Sequence, residues 1–168
     1  GTAYHWLEDY DSAIQDYTTA IQVNPNPYPL AFKNRGDAYG DRGELTLGLS
    51  DWNTIFLLLE DELVTRSLTE DSRVLKDALD NNDTQVHVEF EGMAGDTVTL
   101  SLTVPDDSDL DAMLILRDKN STPLAYSAPG DTYNAQLNDI VLTETGTYTL
   151  VIASNLAKSA GEFTLHLE

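Results

Sequence analysis

The sequence predicts an α+β protein of two domains: antiparallel helical hairpins first, then an all-β sandwich. Three observations carry that reading. Apolar residues recur at helical spacing up to Leu59 and alternate with period two beyond it. The turn vocabulary changes at the same place, from two helix stops to a series of Gly/Pro/Asn/Asp clusters at strand-like intervals. Charge is also split unevenly, with 3 basic against 8 acidic residues in 1–59 and 6 against 21 in 60–168.

The helical half reads as follows. Ala13, Ile14, Tyr17, Ala20 and Ile21 mark one amphipathic helix, Phe32, Ala38 and Tyr39 a second, and Leu49, Trp52, Ile55 and Phe56 a third. "NPNPYP" (24–29) stops the first and restarts the chain, since proline lacks the N–H a helix interior needs. "GDRGE" (40–44) closes the next helix with glycine. The two segments superpose with an offset of 35 residues: Gly1 on Gly36, Ala3 on Ala38, Tyr4 on Tyr39, Ala13 on Gly48, Tyr17 on Trp52, Ala20 on Ile55. Small residues then fall where helices cross, and a large aromatic fills the gap between hairpins.

Gly1, Tyr4, Ala13, Tyr17, Ala20 and Pro25, with "DYDSAIQDYTTAIQVNP", resemble the tetratricopeptide repeat, whose period is about 34 residues. The second copy is less faithful, with Gly48 and Ile55 at the two packing positions and no closing proline. The first copy starts at the eighth position of its first helix, so its outer face needs cover from upstream repeats or from another molecule. A third expectation is that the β domain caps the far end, with Trp52, Phe56 and the leucines 57–59 at the junction. In the family the first helix of each hairpin lines a concave groove. The resemblance therefore implies a partner-binding face of His5, Lys33, Asn34, Asp37 and Asp41, with Lys33 and Asn34 able to hold a peptide's carboxylate or backbone.

In the second half, "DTVTLSLTV" sets Val98, Leu100, Leu102 and Val104 on one face against Thr97, Thr99, Ser101 and Thr103. "GTYTLVIAS" and "GEFTLHLE" alternate in the same way, and such strands joined by short turns predict an antiparallel sandwich or barrel. Phe90, Gly92, Ala94, Gly95 and Asp96, then Asp109 and Leu110, then Gly146, Tyr148 and Leu150 are similar to the bacterial pre-peptidase C-terminal domain, over about 60–168. That resemblance implies a jelly-roll-like sandwich on exported bacterial proteins, extracellular or at the cell surface, with adhesive, stabilising or targeting roles. "SRVLKDALDNND" (72–83) reads as a short helical insertion.

The chain of 168 residues has a net charge of −20 and a sequence pI of about 4.1. Nucleic acid and anionic membranes demand Lys and Arg, so both are excluded as partners. There is no cysteine, hence no disulfide, thiolate metal site or cysteine nucleophile. No apolar run approaches the roughly 20 residues of a membrane span. The first residues are not a secretory signal and fall inside an element. No nucleophile elbow, HExxH or phosphate-cradling glycine loop occurs, and carboxylates are too abundant to single out an acid–base pair, so no enzyme is expected and no cofactor.

Asp107, Asp109 and Asp111 alternate in "DDSDLD" and form a candidate calcium set of hard oxygen donors, although Ala112 and Asp118 break the EF-hand pattern. His87 and His166 lie between inward-facing apolar neighbours and should face out. Asn82 and Asn120 head glycosylation sequons. The expected role is a non-catalytic extracellular or cell-surface interaction scaffold binding a protein partner or a second copy. The alternatives are a self-assembling filament subunit, an accessory targeting domain of a larger secreted hydrolase, and a calcium-dependent glycan or matrix binder.

Overall fold

A computed structural model describes residues 1–24, 29–58, 63–69, 71–79, 85–127, 134–154 and 159–168. The chain divides into two compact units, Gly1–Leu58 and Leu59–Glu168. Each is described by itself.

The first unit holds four helices: α1 (Thr2–Trp6), α2 (Tyr10–Val23), α3 (Pro29–Asp41) and α4 (Leu45–Leu58). Helix α2 starts where Asp9 accepts a hydrogen bond from the Ser12 amide at 3.2 Å, covering one of the first-turn donors that no helical carbonyl reaches. Pro29 opens α3, where its fixed φ suits the first turn. The turn between α3 and α4 passes through Gly43 at φ 87°, a conformation that a Cβ would strain. Ala13, Ile14, Tyr17 and Ala38 form one buried cluster, with Tyr10 and Tyr39 against it, and Trp52, Ile55 and Phe56 of α4 are fully buried as well. Ala20, read as a packing residue, is exposed and Ile21 only half-buried. Helix α1 has five residues, about 7.5 Å of rise, and packs against α2.

At the α3–α4 crossing the backbones nearly touch. A Cβ on Gly48 would lie 2.9 Å from the Gly36 carbonyl oxygen, and one on Gly36 would meet the Trp52 ring at 3.0 Å. The glycines of the repeat thus permit the approach that buries Trp52 completely. Arg35 ties three helices together: Nε and one terminal nitrogen each donate to Asp51 at 2.7 Å, and the other donates to the Thr18 hydroxyl at 3.1 Å.

The second unit contains β1 (Leu63–Ser67), β2 (Val74–Leu79), β3 (Gln85–Gly92), β4 (Thr97–Thr103), β5 (Ala112–Arg117), β6 (Pro123–Ser127), β7 (Ala135–Val141), β8 (Gly146–Ser154) and β9 (Gly161–Leu167). They form a five-stranded sheet, β1-β3-β8-β5-β6, and a four-stranded sheet, β2-β9-β4-β7. One core joins the two, with Val88, Phe90, Leu116 and Leu150 from the first and Leu100, Leu102, Phe163 and Leu165 from the second. It is therefore a sandwich. Val98, Leu100 and Leu102 are buried as the alternation requires, and His87 and His166 are half-buried between buried neighbours.

Two expectations change. The stretch 74–79 is strand, not helix: β2 pairs antiparallel with β9 along its whole length, from Val74 opposite His166 to Leu79 opposite Gly161. Its Leu, Lys and Ala favour a helix in isolation, but cross-strand pairing overrides that preference. Residues 80–83 of the expected insertion, and "NPNP" up to Tyr28 save for Asn24, lie outside the described residues. Second, the sandwich is not wholly antiparallel, because β1 runs parallel to β3. Between them the chain crosses to the other sheet as β2, which lets it re-enter in the same direction.

The "FEGMAGD" motif explains itself. Phe90 stacks on Tyr148 with centroids 5.8 Å apart, and a Cβ on Gly92 would sit 2.3 Å from Leu142. Gly95 takes φ 93°, and the Asp96 carboxylate accepts from the Met93 amide at 3.0 Å to close the turn. Tyr148 donates to the Glu144 carbonyl, four residues upstream, at 2.6 Å, pinning the turn that precedes its own strand.

Candidate functional site

Three of the five side chains expected on the groove, His5, Asn34 and Asp41, come together in the helical unit. Helix α1 ends at Trp6, and the chain turns through Glu8 at φ 59° into the α2 cap. That short turn points His5 at the end of α3, where its Nε2 lies 2.7 Å from an Asp41 carboxylate oxygen. Tyr10 meets the His5 ring edge-on, 5.7 Å between centroids. Between α1, α2 and α3 lies a cavity of about 430 Å³, a size ordinary for ligand sites. His5, Asn34 and Asp41 line it, together with Glu8, Tyr10 and Tyr17.

Lys33 and Asp37 do not line the cavity. They pair one turn apart on α3 at 3.0 Å, with the Lys33 ammonium 5.2 Å from the Trp52 ring centroid. Lys33 is thereby engaged inside the unit, and Asn34 alone of the expected carboxylate-holding pair reaches the cavity.

The site is acidic. Burial pushes the Asp37 carboxyl above the usual carboxylate range, against the attraction and hydrogen bond of Lys33 and the attraction of His5, with Asp41 adding to the rise. The Tyr10 phenol is also raised, by burial first and then by the charges of Asp41 and Glu8. Among the described residues the lining holds no Lys or Arg. Tyr17 is 7% exposed, and its hydroxyl is enclosed without a hydrogen-bond partner. An amide or hydroxyl left this way costs about 1–3 kcal/mol, so a group that supplied the missing bond would be favoured there.

Sequence reasoning missed Glu8, Tyr10 and Tyr17. Tyr17 fills the position between hairpins that apolar packing alone accounts for, and the one available signal was its hydroxyl, which a purely apolar role would not require.

Among the described residues no three His, Cys, Asp or Glu side chains converge as a metal shell. The Ser108 hydroxyl accepts from the Leu110 amide at 3.1 Å and that of Ser159 from the Asp111 amide at 2.9 Å, holding 109–111 without helical or strand pairing. Asn120 sits in the β5–β6 turn, where its amide and that of Thr122 both donate to Asp118 at 2.8 Å. Burial raises the Asp118 carboxyl, and those hydrogen bonds outweigh it, leaving the pKa low. Asn82 lies outside the described residues.

Residues 1–27 match the family model of the tetratricopeptide repeat. Those residues carry α1, α2 and four of the six side chains named at the cavity's wall. No curated protein matches the chain. Among solved structures, the pre-peptidase C-terminal domain of a Bacillus anthracis collagenase superposes with a TM-score of 0.50 at 15% identity, over 64% of this chain and 95% of that one. PliG of Aeromonas hydrophila, a periplasmic inhibitor of g-type lysozyme, gives 0.41 at 11% identity, over 64% of this chain and 100% of that one. CorA of Methylomicrobium album BG8, a surface-associated copper-binding protein, gives 0.45 at 8% identity, over 64% of this chain and 99% of that one. At such identities the collagenase domain shows the fold of the β unit and nothing of its activity. No helix of the described residues is long and apolar enough to cross a membrane.

Proposed function

We propose that the protein is a non-catalytic interaction module that engages a polypeptide partner through the cavity of its helical unit, with the β unit a jelly-roll-like accessory domain. The observation that carries this reading is the convergence of His5, Asn34 and Asp41 with Tyr17 on one cavity between three helices. Repeats of this kind generally mediate protein–protein contact, and the groove residues were named from repeat position alone. The reading includes an extracellular or cell-surface setting, which the likeness of the β unit to a domain of a bacterial collagenase supports.

The test is peptide selection on the full chain, followed by counter-screening. Peptides that bind the native chain should lose binding to Asn34→Arg, which thrusts a long charged side chain into the cavity, and keep it with Met93→Arg on the exposed β3–β4 turn. The opposite pattern overturns the reading. Self-assembly is the second reading, favoured by Trp6, Leu7 and Val23, each at least 74% exposed. Light scattering at rising concentration tests it, and a strict monomer sinks it.

A further inference from the structure

The charge of the helical unit is committed before any partner arrives. Its three Lys and Arg residues are each held by carboxylates of the unit itself: Lys33 by Asp37 at 3.0 Å, Arg35 by Asp51 at 2.7 Å, and Arg42 by Asp11 and by Glu44 at 2.6 Å. None lines the cavity, whereas Glu8 and Asp41 do. Among the described residues the only basic group facing these two carboxylates is the His5 ring. The unit carries 3 basic against 8 acidic residues, so the pairs leave a surplus of negative charge.

Two further features fit the same occupant. Trp6, 84% exposed, and Tyr10 bring aromatic rings to the cavity, and aromatic faces attract ammonium and guanidinium groups. Independently, Tyr17 is more than nine-tenths buried in the cavity wall with its hydroxyl unpartnered, and a phenol oxygen accepts from an N–H⁺ donor. A carboxylate guest would face Glu8 and Asp41, with the His5 ring already bonded to Asp41. An apolar guest would leave the Tyr17 hydroxyl, the Asn34 amide and both acids unmet.

We propose that this cavity is a receptor for a cationic side chain, the lysine or arginine of a basic partner segment, with Asp41 and Glu8 as counter-charges and Tyr17 and Asn34 as hydrogen-bonding groups. The inference rests on the reading of the cavity as a polypeptide site and specifies what the site selects. A cavity of about 430 Å³ admits a long side chain together with part of its flanking segment, so the partner presents the basic residue from an exposed or extended segment.

The probes are three blocked pentapeptides, acetyl-Gly-Gly-Xaa-Gly-Gly-amide, with Lys, Gln or Glu at the centre. They are titrated into the full ¹⁵N-labelled chain while the Trp6 indole and Asn34 side-chain signals are followed. The Lys peptide should move both signals and saturate, and raised salt should weaken it. Tyr17→Phe and Asp41→Asn should each weaken it by about tenfold, the usual scale for a lost hydrogen bond to a charged group. Tyr17→Phe removes a hydroxyl that has no partner, so its thermal unfolding should stay where it was or rise, which separates lost binding from lost fold. Equal binding of the Gln or Glu peptide at the same signals overturns the charge selection and leaves the polypeptide site standing. Unchanged affinity in both variants also overturns it. Failure of all three peptides to move either signal counts against the polypeptide site itself and overturns both.

Discussion

The Arg35–Asp51 pair should be the largest single stabiliser of the helical unit that one substitution can expose. Asp51 is 5% exposed, and both its oxygens are met at 2.7 Å by the guanidinium, whose own side chain is 17% exposed. The guanidinium also donates to Thr18 and lies within 6 Å of the Phe32 and Tyr39 ring centroids. Arg35→Met keeps the apolar stem and removes both charge-assisted bonds, leaving a buried carboxylate. Breaking one side of a buried pair costs about 3–5 kcal/mol, and the partial exposure of Arg35 puts this case near 3. A unit of 58 residues holds about 3–9 kcal/mol in total, so the variant should be barely folded or unfolded there at room temperature. Both tryptophans of the chain, Trp6 and Trp52, lie in this unit, so their fluorescence in urea reports it alone. Removing both charges in Arg35→Met/Asp51→Leu should recover most of the loss, because a well-packed apolar pair replaces a buried ion pair at little cost. Single variants that each lose under about 1 kcal/mol, and a double variant that loses their sum, would refute the reasoning.

Three more outcomes follow. Gly48→Ala sets a methyl 2.9 Å from the Gly36 carbonyl oxygen, so overpacking of about 1–3 kcal/mol should outweigh the roughly 1 kcal/mol gained in helix propensity; an unchanged or higher urea midpoint contradicts it. Tyr148→Phe deletes the 2.6 Å bond to the Glu144 carbonyl and should cost the β unit about 1–2 kcal/mol, read from near-ultraviolet circular dichroism in urea; a loss within error removes the pinning role. Asp37 binds its proton more tightly folded than unfolded, so it favours folding at acid pH and opposes it once pH rises through its folded pKa. Asp37→Asn should therefore raise the melting temperature at pH 7, with the gain shrinking as pH falls through the raised pKa of Asp37 toward the ordinary carboxylate range; a lower melting temperature at pH 7 reverses the sign.

What was legible followed from period and from chemistry that one segment can display. Val98, Leu100 and Leu102 announce an inward face because the side-chain period of a strand is two. Gly36 and Gly48 announce a close crossing because the repeat places small residues where helices meet. Residues 74–79 did not read as strand, since the information lies in β9, nearly ninety residues away. The parallel β1–β3 pair was hidden for the same reason. At the cavity, repeat position was enough for His5, Asn34 and Asp41. It was silent on Glu8, which a left-handed turn residue directs, and on Arg35, whose partners stand 16 and 17 residues distant. The Lys33–Asp37 pairing decides which expected groove residue remains available, and spacing alone does not reveal that a lysine is already engaged.

The most direct measurement of the central claim is amide chemical-shift mapping of a peptide selected on the full chain. The account predicts shifts concentrated at Thr2, His5, Glu8, Tyr10, Asn34 and Asp41, with the β unit unmoved. Shifts confined to the strands of the sandwich, with those residues silent, would contradict it.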